Sequence, residues 1–162
     1  MSNTIIVGIS DLNIVKSPDI LVTYALGSCV GICLYDNSMK IAGLSHIMLP
    51  SSELIAAGNN QPYRYADTAI VALIKKMELL GANRLRMKAK IAGGAQMFFA
   101  SGNSSISNIG QRNVQAVKAV LTHFRIQIIA DDTGKDFGRT VFFYAEDGSM
   151  KIKSATKGDW VL

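Results

Sequence analysis

The chain has 162 residues, 49% of them hydrophobic, which suits one folded domain over residues 1–162 with a substantial core. No apolar run approaches the roughly 18 residues of a membrane span, and the N-terminus lacks the basic start and long apolar stretch of a secretion signal, so we expect no membrane insertion. A net charge of +5 is compatible with nucleic acid or an acidic protein surface, but the simpler interpretation is a soluble basic protein. Two cysteines are too few for a disulfide framework, so we expect reduced thiols and a cytoplasmic location.

Strands are predicted through the first third of the chain. Thr4 to Ile9 and Ile20 to Tyr24 are rich in residues that favour strands. Cys29 to Tyr35 alternates between two faces, which is the pattern of a strand. Ile41 to Leu49 follows as its partner, and the polar segment Asp36-Asn37-Ser38 forms the turn between them.

Two amphipathic helices are predicted in the middle of the chain. The first runs from Tyr65 to Leu80, where apolar residues recur at helical spacing, and Gly81 occupies the position of a C-terminal cap. The second runs from Ile109 to Phe124 and has an apolar stripe of the same period. Loops are predicted before each helix, at Pro50 to Pro62 and at Ser101 to Ser107.

Further strands are predicted around the second helix. Apolar and basic residues alternate over Arg84 to Ile91, which places Leu85 on the inner face and Arg86 on the outer face. That basic face has no interleaved aromatic residues, and we expect no nucleic-acid partner. The closing strands are Arg125 to Ala130, Thr140 to Ala145 and Met150 to Lys153, the last two joined by a turn at Glu146 to Ser149. Many strands with two main helices indicate an α+β layered domain.

Cys29 and His46 are the sharpest candidates for chemistry. If Asn37 and Ser38 are the two loop residues of a hairpin, Cys29 faces His46 with Cβ atoms about 4.5–5.5 Å apart. A thiol and an imidazole at that distance can share a proton, and these two groups are the minimum that a cysteine hydrolase needs. The histidine would lower the pKa of the thiol. A register change of one residue would instead put the two side chains on opposite faces. The structural alternative for Cys29 is a small buried hydrophobe on a strand.

Gly27 and Ser28 add to this candidate site, and Thr23 is a candidate for its third group. Gly27 and Ser28 allow a tight backbone approach, so that the N–H of Cys29 and of a neighbour can stabilise an oxyanion, although an ordinary strand-entry turn explains glycine equally well. Thr23 can orient the histidine only if the chain folds back after it, and otherwise it is a strand former. Cys33 has no histidine opposite, and we expect it to pack in the core.

No metal or cofactor is predicted. The set Cys29, Cys33, His46 and His123 has no recognised zinc spacing, and His123 at a helix end is explained by the helix dipole. The segment from Ile91 to Gln96 shares only its glycines with a phosphate-binding loop.

Several motifs together resemble the chemoreceptor glutamine deamidase (CheD) family. They are, in order, LGSCVGICLYD, GLSHIMLP, YADTAI, IAGGAQMF, IGQRN and DTGKDFGR. Each is weak alone, but their number, order and spacing make the resemblance specific, and it runs from about Ile5 to Lys153. Two departures are visible. The chain has Lys135 after Gly134 where the family usually has paired glycines, and it has Ala92 where the family often has a large apolar residue.

The resemblance implies a cysteine hydrolase that converts glutamine side chains of methyl-accepting chemotaxis receptors to glutamate and releases ammonia. Matched by motif, Cys29 would be the nucleophile, His46 the general base and Thr23 the residue that orients His46. The resemblance also implies a layered α-β-β sandwich with mixed and antiparallel sheets and two main helices, like that of deamidating toxins. It implies no cofactor, and a partner in the CheY-phosphate phosphatase CheC.

Two other functions stay open from the sequence. One is a binding module that mainly tunes the phosphatase and has little catalysis of its own. The other is a thiol redox sensor built on Cys29 and Cys33, which an extended strand would hold about 13 Å apart.

Overall fold

A computed structural model describes residues 1–54, 61–97 and 108–162. The strands are β1 Thr4–Ile6, β2 Asp11–Lys16, β3 Ile20–Leu26, β4 Val30–Asp36, β5 Ile41–Ile47, β6 Lys88–Gly93, β7 Gln127–Thr133, β8 Arg139–Tyr144, β9 Met150–Ser154 and β10 Gly158–Val161. The helices are α1 Ala66–Leu79 and α2 Ile109–His123, with short 3₁₀ helices at Ser52–Leu54, Pro62–Arg64 and Arg84–Arg86. Within these described ranges, neither α-helix combines the length and the apolar character needed to cross a bilayer.

The strands form two five-stranded sheets. The first sheet has the order β1-β3-β8-β9-β10, and the second has the order β2-β5-β4-β6-β7. Both are mixed, because β1 runs parallel to β3 and β6 runs parallel to β7, whereas the central pairs β3–β8 and β4–β5 are antiparallel. The pairing of distant segments brings β3, near the start of the chain, into the sheet that is completed by its last strands.

Two buried clusters separate three layers. The helix-side core joins Leu73 of α1 and Val117 of α2 to the second sheet, for example at Ile32. The inter-sheet core lies between the two sheets and includes Leu21 of β3 and Leu44 of β5. The order of the layers is therefore helices, second sheet, first sheet, and the predicted α+β class is confirmed.

The two helices form where their apolar spacing predicts them, and their ends agree with the prediction to within one residue. Gly81 has φ +111°, a conformation that favours glycine, and its N–H bonds the carbonyl of Glu78. The predicted cap at the end of α1 is therefore confirmed. The predicted loop at Ser101 to Ser107 lies outside the described residues.

The predicted strand beginning at Arg84 was wrong in its first half. Arg84–Arg86 forms a 3₁₀ helix, β6 begins only at Lys88, and Leu85 is 88% exposed instead of facing in. The Asn83 side chain accepts the N–H of Leu85 at 2.9 Å, and Arg86 turns back to bond Asp36. These side-chain bonds outweigh the alternating pattern. Two short strands, β2 and β10, were not predicted.

Candidate active site

Thr23 and His46 are in direct contact, and Cys29 packs against the inter-sheet core. Cys29 immediately precedes β4, is partly exposed, and packs against that core. His46 lies near the end of β5 in the second sheet, and Thr23 lies in β3 of the first sheet. Both are fully buried. The site is therefore built from both sheets.

The register of the β4–β5 hairpin differs from the prediction by two residues. Asp36 pairs with Ile41, and Gly31 pairs with His46, so the loop between the strands has four residues, 37–40, instead of two. The prediction that Cys29 directly faces His46 was therefore wrong. Because side chains alternate with period two, a shift of two leaves Cys29 on the same side as His46, as a diagonal neighbour.

The longer loop has a local cause. Asp36 accepts the N–H groups of Ser38 at 3.0 Å and Met39 at 3.3 Å, which makes the loop wider than a two-residue turn. Lys40 closes it with φ +54°. Asn37-Ser38 lacks the glycine that a two-residue turn prefers, and the side chain of Asp36 stabilises the alternative.

A chain of hydrogen bonds fixes the tautomer of His46. The Thr23 hydroxyl donates to the carbonyl of Val7 at 2.6 Å, and the same oxygen lies 2.6 Å from Nδ1 of His46. A hydroxyl has a single proton, so Thr23 must accept the second bond from an Nδ1–H. In the neutral ring, Nε2 then carries the basic lone pair.

Nε2 of His46 is the open atom of this site. It is buried, and no atom of the described residues 1–54, 61–97 and 108–162 forms a hydrogen bond with it. The arrangement leaves a neutral imidazole with one nitrogen held and the other available, on the side of the sheet where Cys29 lies. Such a ring can accept a proton from a thiol that approaches it.

The resting charges differ from the prediction. Burial lowers the pKa of His46 to about 4. Burial also raises the pKa of the Cys29 thiol, against a smaller lowering by the N–H of Cys29 itself. The expectation that the histidine lowers the pKa of this thiol was therefore wrong. The site rests as a neutral thiol and a neutral imidazole, because desolvation disfavours both charged forms.

The backbone around Cys29 is held by hydrogen bonds to three successive carbonyls. The N–H of Ala95 bonds the carbonyl of Gly27 at 2.8 Å, and the N–H of Gly94 bonds the carbonyl of Cys29 at 2.7 Å. The carbonyl of Ser28 accepts from the Asn113 side chain at 2.9 Å. Sequence reasoning did not single out Asn113. The only signal was its place in the IGQRN motif of α2.

Other predicted residues lie apart from this cluster. Cys33 is fully buried in the inter-sheet core, and its sulfur lies 3.9 Å from that of Met150, so its predicted packing role is confirmed. Both cysteines are free thiols. His123 is exposed at the end of α2, where its ring contacts Phe124 edge-on.

The structure also shows the surroundings of Ala92 and Lys135, the two departures from the family pattern. Ala92 is buried and pairs with Gly31. Lys135 has φ +61°, in the left-handed region that favours glycine, which explains why glycine suits this position. Its carbonyl accepts the N–H of Gln96, so Lys135 keeps the backbone contact of the loop.

Comparisons with known proteins extend over nearly the whole chain. Residues 48–154 match the family described as CheD chemotactic sensory transduction. A relative in Clostridium botulinum, named "Probable chemoreceptor glutamine deamidase CheD", is 53% identical over 154 residues, covering 94% of each protein. One of the same name in Caldanaerobacter subterraneus is 52% identical over 94% of this chain and 93% of its own length. "Chemoreceptor glutamine deamidase CheD" of Halalkalibacterium halodurans is 46% identical over 98% of both. The alignments with these relatives include the segments that carry Thr23, Cys29 and His46, whereas the family match begins after them. The chain belongs to the CheD family.

Proposed function

We propose that this protein is a protein-glutamine deamidase that acts on methyl-accepting chemotaxis receptors. The proposal rests on the bonding of His46 in a chain of the CheD family. Nδ1 of His46 is bonded to Thr23, whereas its buried Nε2 has no partner among the described residues and lies on the Cys29 side of the sheet. An amide is a poor acyl donor, and a positioned nucleophile with an adjacent base is the arrangement that its hydrolysis needs. The substrate segments of such receptors are cytoplasmic, and a cytoplasmic location is part of the proposal.

The first half of the reaction transfers the glutamine acyl group to the enzyme. The Cys29 sulfur attacks the side-chain carbonyl carbon while its proton passes to Nε2 of His46, since neither group is charged at rest. A C–S bond forms and the carbonyl oxygen becomes an oxyanion, which the N–H groups at Ser28 and Cys29 stabilise. The C–N bond then breaks as the imidazolium gives its proton to the nitrogen, and ammonia leaves.

The second half releases glutamate. His46 takes a proton from a water molecule, which attacks the thioester carbon, and the C–S bond breaks with return of that proton to the sulfur. The reaction as written consumes one water molecule and no other reagent. Thr23 keeps its bond to Nδ1 throughout, so that the ring presents the same nitrogen in both halves.

The test is direct measurement of glutamate formation. A purified cytoplasmic fragment of a methyl-accepting chemotaxis receptor is incubated with the protein, and its peptides are searched by mass spectrometry for a gain of about one dalton at glutamine. We expect conversion by the unmodified protein and none by Cys29→Ala. Cys33→Ala is the matched control, because Cys33 is buried in the inter-sheet core, and it should still convert glutamine.

Cys29→Ala also separates catalysis from partner binding. We include the phosphatase CheC as a partner in the proposal, and the variant should still bind it, because the substitution removes only a sulfur atom. Receptor deamidation that continued unchanged in Cys29→Ala would overturn the enzyme proposal. It would favour a binding module that tunes the phosphatase.

A further inference from the structure

Asn113 connects the two segments that carry the proposed catalytic pair. Its side chain is fully buried on α2. Nδ2 donates one hydrogen bond to the carbonyl of Ser28 and another to the carbonyl of Met48, each at 2.9 Å. Ser28 immediately precedes Cys29, and Met48 follows His46 by two residues. One amide group therefore uses both of its protons to tie the nucleophile segment to the end of β5.

The bond to Ser28 fixes the direction of the Cys29 N–H. A trans peptide unit is planar, and its C=O and N–H point in opposite directions. Because the Ser28 carbonyl is held toward α2, the N–H of Cys29 points away from α2, and it acts on its own sulfur strongly enough to offset part of the burial effect on the thiol pKa. The carbonyls on either side, of Gly27 and Cys29, are held by backbone N–H groups. Of the three bonds described for this segment, the one to Asn113 comes from a side chain.

Gly110 lets α2 come close enough for this contact. A Cβ on Gly110 would lie 2.5 Å from the carbonyl oxygen of Ala95 and 2.7 Å from that of Gly94. These distances are too short for any side chain, so the first turn of α2 rests directly on the loop that holds Gly27 and Cys29. The IAGGAQ and IGQRN motifs are thus in contact with each other next to the Cys29 segment.

The two polar atoms of the Asn113 amide differ in their bonding. Its Oδ1 is buried and accepts no hydrogen bond from the described residues 1–54, 61–97 and 108–162. An unsatisfied buried acceptor lowers stability. The hydrogen bonds of this side chain are therefore those of Nδ2.

We propose that Asn113 is a positioning residue for the oxyanion site, which it serves by holding the Ser28–Cys29 peptide so that the Cys29 N–H faces the reacting carbonyl oxygen. The inference rests on the proposed function for its substrate. The effect of Asn113 on the Cys29 N–H does not depend on that substrate. It can be measured as the rate of acylation by any acyl donor that reacts at Cys29.

The experiment compares two reagents, of which only one reacts through an oxyanion. Acylation of Cys29 by p-nitrophenyl acetate passes through a tetrahedral oxyanion: the C–S bond forms as the thiol proton passes to Nε2 of His46, and the ester C–O bond breaks with loss of p-nitrophenolate. Alkylation by iodoacetamide displaces iodide without an oxyanion. Both rates are measured for the unmodified protein, Asn113→Ala and Asn113→Asp, with Cys29→Ala as the blank. Asn113→Asp keeps the size of the side chain if the alanine variant fails to fold.

Asn113→Ala should slow acylation about 10- to 100-fold while alkylation changes by less than about threefold, because misaiming one oxyanion donor affects only the first reaction. On receptor glutamines, kcat should fall by a similar factor with KM changed less than about threefold. Gln115→Ala, an exposed amide on the same helix, is the control and should leave both rates unchanged.

Equal slowing of both reagents, or of neither, would overturn the inference, since a purely structural role affects the thiol itself. The receptor assay reports separately on the proposed function. If the unmodified protein acylated readily yet converted no receptor glutamine, the proposed function would fail while the positioning role was still decided by the ratio of the two rates.

Discussion

The β4–β5 hairpin has a buried ionisable side chain at each end, and the two ends are bonded in opposite ways. At the closed end, Asp36 accepts backbone N–H bonds from Ser38, Met39 and Asn83 and two further bonds from Arg86. At the open end, His46 has one nitrogen bonded to Thr23 and the other without a partner among the described residues. The same two strands thus carry one group whose hydrogen-bonding capacity is filled and one group whose capacity is not.

The pKa values follow this difference. Burial raises the pKa of Asp36, but the hydrogen bonds from Arg86 and from backbone N–H groups outweigh it, and the net shift is downward. Nothing offsets burial at His46, and its pKa falls to about 4. A charged group whose hydrogen-bonding capacity is filled stabilises a turn, whereas a neutral base with a free lone pair is available for chemistry. We expect substitutions at the closed end to change stability and those at the open end to change activity.

The largest effect is expected from His46→Gln. Glutamine keeps the approximate volume but cannot accept and return a proton, and loss of a general acid–base group costs about 10²- to 10⁴-fold in rate. We expect kcat for receptor deamidation to fall within that range. His123→Gln, at the exposed end of α2, is the control and should deamidate normally. If kcat of His46→Gln stayed within tenfold of that of the unmodified protein, His46 would not be the general base, and the open end of the hairpin would not be the active one.

Asp36→Asn tests the closed end. The amide cannot satisfy Arg86 and the three backbone donors together, although Arg86 is 40% exposed and its charge can be rehydrated. We expect the free energy of unfolding to fall by about 2–3 kcal/mol, measured by urea denaturation. Activity per folded molecule should not change. Asp159→Asn, at an exposed position in β10, should alter neither quantity. A loss of kcat in folded Asp36→Asn would show that the two ends are not independent.

The two ends should also separate by pH. His46 has a pKa of about 4 when folded and near 6.5 when unfolded, so the unfolded chain binds more protons between these values. The stability from neutral His46 is present above about pH 6.5 and is lost as pH falls toward 4, by roughly 3 kcal/mol in total. Asp36 acts at lower pH, where its stabilisation is lost as the carboxyl becomes protonated. Urea denaturation of His46→Gln between pH 7 and 4.5 should lack the first slope. A slope equal to that of the unmodified protein would show that His46 does not titrate as a buried neutral base.

The face shared by Cys29 and His46 could be predicted from sequence, although the register could not. Alternation fixes which side of a strand a residue occupies, and this parity survives any shift by two. The length of the loop depended on the hydrogen bonds that the Asp36 side chain accepts from the N–H groups of Ser38 and Met39, and the alternation of residues does not predict these bonds. The same carboxylate draws in Arg86, and the strand predicted from Arg84 therefore became a 3₁₀ helix.

Contacts between the sheets lay beyond what the pattern could predict. Thr23 and His46 belong to different sheets, and their meeting depends on how those sheets are stacked. The family resemblance implied a role for Thr23, but the strand pattern alone favoured an ordinary strand former. Asn113 was not singled out because its partners are backbone carbonyls, which leave no trace in composition.

Thr23→Val is expected to have the smallest effect, and it tests whether the open end depends on its one satisfied nitrogen. Valine keeps the shape and removes the oxygen, so that Nδ1–H loses its acceptor and the proton can move to Nε2. Each molecule with that tautomer lacks the base, and we expect kcat to fall about tenfold, the factor that corresponds to about 1.4 kcal/mol. Thr23→Ser keeps the hydroxyl and should restore most of the activity. Nitrogen NMR of the His46 ring should show a single Nδ1–H tautomer in the unmodified protein and in Thr23→Ser, and a mixture in Thr23→Val. If activity fell while the tautomer stayed unchanged, Thr23 would act by placing the imidazole ring. Its hydrogen bond would then not determine which ring nitrogen carries the proton.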